Sequence, residues 1–372
     1  MKFTIKKSDI LHVLANVQGI TGRKTNLAIT ANVLMRVKEG QASLSATDLE
    51  TGLEGIYPAV VENPGVIAIN SRKLFEIVKE FPSDNIHFSE VENNWIQISD
   101  EKVEYHIVGM NPDDFPDIPQ VEDTPLAEMD SGEFKKMIER AVIITAPSED
   151  KRAHVIGAYF ESLEVEGQPC MRLVSTDGSR LSVAEAFCGH TVAIPGGSGA
   201  LIPKKGLVEV GRFLEPEGTV KIGFKESNFI VKKSLETIII RLLEGEFPQY
   251  EEIITKGPGH TLNLEKLRFM QMLRRMSILS SENYKGVIFN FSDNRLNITS
   301  TNPEIGESRE DLPVDFSGEP IQVAFNPKFF IDALNMIDED GVILSISDEE
   351  KPCFVEGGED KRYISVIMPM RL

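Results

Sequence analysis

Six stretches of the chain place apolar side chains at i, i+3, i+4 and i+7, the stripe that one face of an amphipathic helix presents. They are Ile10-Val13-Leu14-Val17, Leu74-Ile77-Val78-Phe81, Phe134-Met137-Ile138-Ala141, Leu207-Val210-Gly211-Leu214, Phe269-Met272-Leu273-Met276 and Phe330-Ala333-Leu334-Ile337. Start signals accompany several: Ser8, Asp130 with Glu133 as a capping box, Asn263, and Asn326 followed by Pro327. Short strand-like runs fill the intervals. Phe3-Thr4-Ile5, Leu126 to Met129 and Thr261 to Leu264 precede the first, third and fifth stripes; Val66 to Ile69, Ala200 to Ile202 and Val323 to Phe325 lead into the others. A strand with a polar turn recurs at 43–48, 172–177 and 296–302.

The stripes fall into two series, opening at 10, 134 and 269 and at 74, 207 and 330, so each series repeats every 123 to 135 residues. Equal order at nearly equal spacing signals an internal repeat. We therefore expect three copies of one α+β domain, each with two helices on one face of an antiparallel sheet of about eight short strands. Pro116 to Pro125 is proline-rich and acidic, and Lys256-Gly257-Pro258-Gly259 is a turn cluster, so the domains are expected at 1–122, 123–257 and 258–372. Copies one and two close in Asp114-Phe115-Pro116 and Glu246-Phe247-Pro248. The third closes in a strand, Tyr363 to Ile367, followed by Met368-Pro369-Met370-Arg371-Leu372 rather than a polar tail.

Composition narrows the classes. At 372 residues, 41% hydrophobic and 26% charged, the chain reads as soluble and globular. It has no apolar run long enough to span a bilayer, and its start lacks a signal-peptide core. Cys170, Cys188 and Cys353 are odd in number and far apart, which fits a reducing cytoplasm and neither disulfides nor zinc. The net charge of −19 argues against a generally basic nucleic-acid binder. The cations, however, gather near the helix stripes: Lys6, Lys7, Arg72, Lys73, Lys79, Lys135, Lys136, Arg140, Lys204, Lys205, Arg212, Lys266, Arg268, Arg274, Arg275 and Lys328. Basic residues at one phase of three copies suggest a local surface that grips phosphates weakly and without reading bases.

Enzyme constellations are missing. There is no Walker A loop or dinucleotide fingerprint, and the six histidines have no metal-ligand spacing, so neither a catalytic site, a metal nor a cofactor is expected. Asp177, in Thr176-Asp177-Gly178-Ser179-Arg180, is expected to be a turn aspartate bonding its own backbone, with Gly178 at positive φ.

These motifs, in this order, resemble those of the bacterial beta sliding clamp family, the beta subunit of DNA polymerase III, over essentially the whole chain. The similarity is carried by Met1-Lys2-Phe3-Thr4, Thr47-Asp48-Leu49-Glu50, Asp114-Phe115-Pro116, Ser175 to Leu181, Ile202-Pro203-Lys204-Lys205-Gly206, Gly245-Glu246-Phe247-Pro248-Gln249-Tyr250, Ile278-Leu279-Ser280-Ser281-Glu282, Lys285-Gly286-Val287, Asn302-Pro303-Glu304 and Met368 to Leu372. The resemblance implies a ring-shaped head-to-tail homodimer of three clamp domains per chain. Such a ring encircles duplex DNA without sequence preference and tethers the replicative polymerase, conferring processivity without catalysis. The implied partners are the polymerase III alpha subunit, the clamp loader, and other polymerases and repair proteins bearing short linear motifs; no membrane is implied. A peptide-binding scaffold that does not encircle DNA is the alternative.

The resemblance also assigns residues. A pocket for partner motifs, typically a glutamine plus a leucine-phenylalanine pair, is expected from Val155, Thr176, Gly178, Arg180, Leu181, Pro248, Ile253, Val366, Ile367, Met368, Pro369, Met370, Arg371 and Leu372. Ser179 stands where a histidine is familiar and Glu252 where an arginine is, so motif preference is expected to differ. Ala153 and His154 stand where tyrosines are familiar. Lys24, Lys204 and Lys205, with the neighbouring Arg23 and the helical Lys73 and Lys136, are expected to face DNA, and Ile278 and Leu279 to lie at the dimer interface.

Overall fold

The computed structural model describes residues 1–22, 27–119, 121–145, 150–197, 199–279 and 286–371. Its helices are α1 (Lys7–Thr21), α2 (Ser71–Glu80), α3 (Ser131–Val142), α4 (Ala153–Ile156), α5 (Lys204–Phe213), α6 (Lys266–Met276) and α7 (Pro327–Asn335). Six of them coincide with the six apolar stripes, and α4 is a single turn that no stripe announces. Between the expected boundaries, the described residues hold nine, eight and eight strands. The chain divides into two compact units, unit 1 (1–135 with 188–242) and unit 2 (136–187 with 243–372).

Two of the expected helix starts need correction. Ser8 lies inside α1, whose N-cap is Lys6, and Asn263 lies in the strand His260–Glu265, with Glu265 as the N-cap of α6. In both places the strand runs straight into the helix, and a loop carbonyl serves the first helical N–H instead of a side chain. Lys7 N donates to Asp84 O at 2.7 Å and Lys266 N to Asp340 O at 2.8 Å. Ser131 N does the same to Gly218 O at 2.9 Å, so the first helix of every copy shares this backbone cap. Of the other two expected signals, Asp130 Oδ1 accepts from Glu133 N at 2.9 Å, one half of a capping box, and Asn326 Oδ1 accepts from Lys328 N at 3.1 Å. Asn70 caps α2 in the same way, accepting from Lys73 N at 3.0 Å.

In unit 1, one antiparallel sheet runs Val60–Asn63, Lys2–Lys6, Asn85–Glu90, Trp95–Ser99, Glu104–Val108. A second runs Ala127–Asp130, Thr219–Lys225, Asn228–Lys233, Glu236–Arg241, Thr51–Pro58, Gln41–Thr47, Asn32–Lys38, Gly65–Asn70. Helix α1 packs on α2 and α5, burying Ile10, Val13, Leu14 and Val17 completely. In unit 2, seven strands run Gly157–Val165, Gln168–Thr176, Arg180–Phe187, Tyr363–Ile367, Cys353–Gly357, Gly341–Ile346, His260–Glu265. A further sheet runs Gly306–Pro313, Arg295–Asn302, Val287–Ser292, Ile321–Phe325. Phe269 of α6 and Phe330 of α7 meet edge to face at 6.1 Å and both touch Phe289 beneath. Burying each such ring contributes about 1.5–3 kcal/mol.

Each long sheet crosses a copy boundary in the same way. The last strand of copy two pairs with copy one, Ile240 opposite Thr51, and the last strand of copy three pairs with copy two, Ile367 opposite Arg180. The terminal strand Tyr363–Ile367 is thus an interior member of a sheet. Its neighbours on either side supply its backbone hydrogen bonds, and all its side chains but that of Ile364 are buried, Ser365 included.

Candidate partner-binding site

Beside that strand, unit 2 holds a cavity of about 210 Å³. It is lined by His154, Thr176, Gly178, Arg180, Leu181, Phe247, Pro248, Tyr250, Ile253, Val366 and Met368. Leu181 and Val366 are directly paired across the two strands and belong to one buried cluster with Tyr250, so the floor is fixed by sheet register. One wall is aromatic. Phe247 stacks on Tyr159 at 5.1 Å with rings 4° from parallel, and Tyr250 meets both edge-on at 6.0 and 6.5 Å. The Tyr250 hydroxyl donates to Glu161 and accepts from Arg172 Nη1 at 3.1 Å, while Arg172 Nη2 holds Glu185 at 2.5 Å. Burial pushes the Tyr250 hydroxyl and the Glu161 carboxyl above their ordinary values. The ring is therefore locked by a polar network behind it while its face stays apolar.

The opposite rim is the Thr176 to Arg180 turn. Asp177 Oδ1 accepts from Ser179 N at 2.9 Å and Arg180 N at 3.1 Å, and Thr176 Oγ1 accepts from Gly178 N at 3.0 Å. Gly178 has φ +90°, the left-handed conformation glycine tolerates best. Asp177 is thus the turn aspartate the sequence suggested. Arg180 then ties the turn to α7: Nε bonds Asp177 Oδ2 at 3.0 Å, Nη1 bonds Asp332 Oδ2 at 2.6 Å, and the guanidinium lies 4.3 Å over the Phe329 ring. Arg180 is 7% exposed, so it acts as an internal strut of the rim. The result is a small apolar trough with rigid walls and the partly exposed Met368 and Ile253 at its mouth, suited to one or two apolar side chains of a short segment.

Of the residues assigned from sequence, Thr176, Gly178, Arg180, Leu181, Pro248, Ile253, Val366 and Met368 come together here. Val155 and Ile367 do not line it and are buried in the core, at 1% and 0% exposure; Ile367 follows Val366 on the strand and so faces the other side of the sheet. Pro369, Met370 and Arg371 do not line the trough. Met368 N is still held by Ser179 O at 3.0 Å, but Met370 N bonds Ala324 O at 2.8 Å, so the chain leaves the rim after Met368. Leu372 lies outside the described residues. His154, Phe247 and Tyr250 were missed; the last two sit in the Gly245 to Tyr250 motif, where only Pro248 was singled out.

The expected DNA-facing cations are less uniform. Arg23 and Lys24 lie outside the described residues. Lys73 pairs with Glu76 at 2.8 Å and Lys136 with Asp338 at 2.5 Å. Lys205 is exposed, but Lys204 is buried at 6% exposure, because neighbours on a helix point about 100° apart and only one of an adjacent pair faces outward. Lys79, Arg274 and Lys328 are exposed. Ile278 is 74% exposed and Leu279 partly so, in a turn packed beside the edge strand Gly306–Pro313. Among the described residues no cluster of side chains fits a metal ion, and none of the three cysteines is in a disulfide.

Family models cover nearly all of the chain. The N-terminal, central and C-terminal domains of the DNA polymerase III beta subunit match residues 1–119, 128–249 and 251–371. The beta sliding clamp of Vibrio cholerae is 32% identical over the full length of both chains. Among solved structures, the DNA polymerase III subunit beta of Pseudomonas aeruginosa superposes with a TM-score of 0.90 at 28% identity, covering 100% of each chain. The DNA polymerase sliding clamp of Caulobacter crescentus gives 0.91 at 25% identity, again over 100% of each. Three matched domains in order and a full-length relative above 30% identity mean that this chain belongs to the DNA polymerase III beta subunit family, the beta sliding clamps.

Proposed function

We propose that the chain works as a DNA sliding clamp: a head-to-tail homodimer of domains 1–122, 123–257 and 258–372 that encircles duplex DNA and, without catalysing a reaction, holds replication proteins on it. The observation that carries this reading is the copy-to-copy strand pairing. It is made twice within the chain, Glu236–Arg241 on Thr51–Pro58 and Tyr363–Ile367 on Arg180–Phe187. The third equivalent junction is left open. Its two halves are the edge strand Glu104–Val108, the last of copy one, and the edge strand Gly306–Pro313 of copy three. Among the described residues both edges keep unpaired ladder groups, and Val108, Ile278 and Ile305 beside them are 58%, 74% and 63% exposed. A second copy of the chain supplies the missing half of each junction, and two such contacts close a ring.

In that ring Lys73, Lys136 and Lys205 face the duplex. Pairing of Lys73 and Lys136 with carboxylates leaves them weak phosphate partners, which suits a surface that must slide. The unit 2 trough receives leucine-phenylalanine motifs of the polymerase III alpha subunit, the clamp loader and other polymerases and repair proteins in the cytoplasm. Ile278 and Leu279 belong to the dimer contact.

The decisive experiment loads the protein onto nicked circular DNA with a clamp loader and ATP, then linearises the DNA. Retention on the circle and release from the line are expected; equal retention on both would overturn encirclement and leave a peptide-binding scaffold. Ile278→Arg buries a charge in the proposed contact and is expected to shift the mass in solution from twice the 41.4 kDa chain to the single chain. Unchanged dimer mass would remove Ile278 from the interface.

A further inference from the structure

Unit 1 contains a second cavity, of about 270 Å³, lined in part by Leu49, Glu50, Asp117, Ile118, Ile239 and Arg241. It stands on the same backbone frame as the trough of unit 2. Asp48 Oδ1 accepts from Glu50 N and Thr51 N at 3.1 and 2.7 Å, as Asp177 does from Ser179 and Arg180. Thr47 Oγ1 accepts from Leu49 N at 3.0 Å, as Thr176 does from Gly178. Arg241 N donates to Glu50 O at 2.8 Å, as Met368 N does to Ser179 O. The internal repeat has thus built the same trough at two copy junctions, and the side chains have diverged.

One divergence is unfavourable for folding. Leu49 occupies the slot of Gly178 with φ +78°, a conformation that a leucine adopts only under strain. Its side chain gains little burial in return, being 49% exposed at the cavity. A glycine would fit the turn better, so the leucine is explained by what it presents rather than by the turn. Opposite it, Ile118 and Ile239 extend the apolar floor. The mouth differs from that of unit 2 in charge. Glu50 and Asp117 are exposed, and among the described residues no hydrogen bond or ion pair is made by either carboxylate. Arg241 offsets one of them, leaving the mouth net negative.

We propose that this cavity is a second segment-binding site, which takes an extended peptide carrying an aliphatic side chain flanked by lysine or arginine. The aliphatic group rests on Leu49, Ile118 and Ile239, and the cationic neighbours meet Glu50 and Asp117. The assignment stands on unit 1 residues and does not depend on what the unit 2 trough binds.

Fluorescence anisotropy with a labelled Lys-Leu-Leu-Lys amide tests it on the full chain. Saturable binding is expected, weakened about tenfold by Leu49→Gly, a loss in the range a central apolar contact supplies. The same substitution relieves the left-handed leucine, so the melting temperature should hold or rise, which separates lost binding from lost fold. Met368→Ala in the other trough should leave the affinity within about twofold, since Met368 does not line this cavity. A Glu-Leu-Leu-Glu amide should bind at least about tenfold more weakly, since like charges meet at the mouth. Unsaturable binding, an unchanged affinity in Leu49→Gly, equal affinity for the acidic peptide, or loss of binding in Met368→Ala would each overturn the proposal.

Discussion

Asp360→Ala should destabilise unit 2 by about 3–5 kcal/mol at neutral pH, the loss typical of stranding a buried charge. The charge is Arg140, 4% exposed at the end of α3. Its Nη2 bonds Asp360 Oδ2 at 2.9 Å, its Nε reaches Met336 O at 3.3 Å, and its guanidinium lies 5.1 Å from the centre of the Tyr363 ring. Asp360 is the sole carboxylate paired with it among the described residues, and Arg362 secures that carboxylate from the other side, with Nε at 2.9 Å from Oδ1. Burial raises the pKa of Asp360, but the hydrogen bonds from Arg362 and Arg140 outweigh it and hold the carboxyl well below the ordinary aspartate value of 3.8. A carboxyl depressed in this way contributes stability above its unfolded pKa and loses it as pH falls toward the folded one. The gap between wild type and Asp360→Asn should therefore be large at neutral pH and begin to close as pH falls below about 3.8. Thermal unfolding at both pH values measures it; a gap that is constant with pH would mean that ionisation of Asp360 contributes nothing.

Arg180→Ala should abolish partner-peptide binding to the unit 2 trough, with a loss of at least about 3 kcal/mol. The side chain holds Asp177, Asp332 and Phe329 at once. Without it, the Thr176 to Arg180 turn and α7 lose their common strut, and two partly buried carboxylates, 16% and 34% exposed, face each other without a cation. Isothermal titration with a peptide bearing glutamine and a leucine-phenylalanine pair reads the affinity, and circular dichroism checks that the sheet survives. Met368→Ala, which removes only a mouth residue, should cost about 1–2 kcal/mol of peptide affinity. Were Arg180→Ala to bind as tightly as wild type, the rim would not need its strut.

Much of the fold is legible in the chain because its signals are local and repeated. A stripe such as Phe269-Met272-Leu273-Met276 shows a buried helix face wherever that helix packs, and three appearances of one order of elements reveal a repeat without knowledge of any contact. The caps were legible only where a side chain makes them. Asp130 and Asn326 announced their helices; α1 and α6 begin on carbonyls of Asp84 and Asp340, some seventy residues away in sequence, and no local residue reports that.

Most of the trough's lining was legible in the chain, but not its aromatic wall. Thr176, Gly178, Arg180 and Leu181 stand together in one turn motif and Val366 and Met368 in the closing stretch, both marked by the family resemblance. Sequence could not show that the Phe247 and Tyr250 rings, rather than Met370 and Arg371, complete it. That was decided by two backbone bonds, Met368 to Ser179 and Met370 to Ala324, which turn the chain away from the rim between them.

Taken by itself, the amino-acid order determined three α+β copies and a terminal strand too apolar to be a polar tail, because each rests on periodicity or residue type. Tertiary structure alone decided that this strand pairs with copy two, that Lys204 is buried beside an exposed Lys205, and that Leu49 carries in unit 1 the strain Gly178 avoids in unit 2. Those outcomes depend on register and on partners far away in sequence, and a local pattern contains neither.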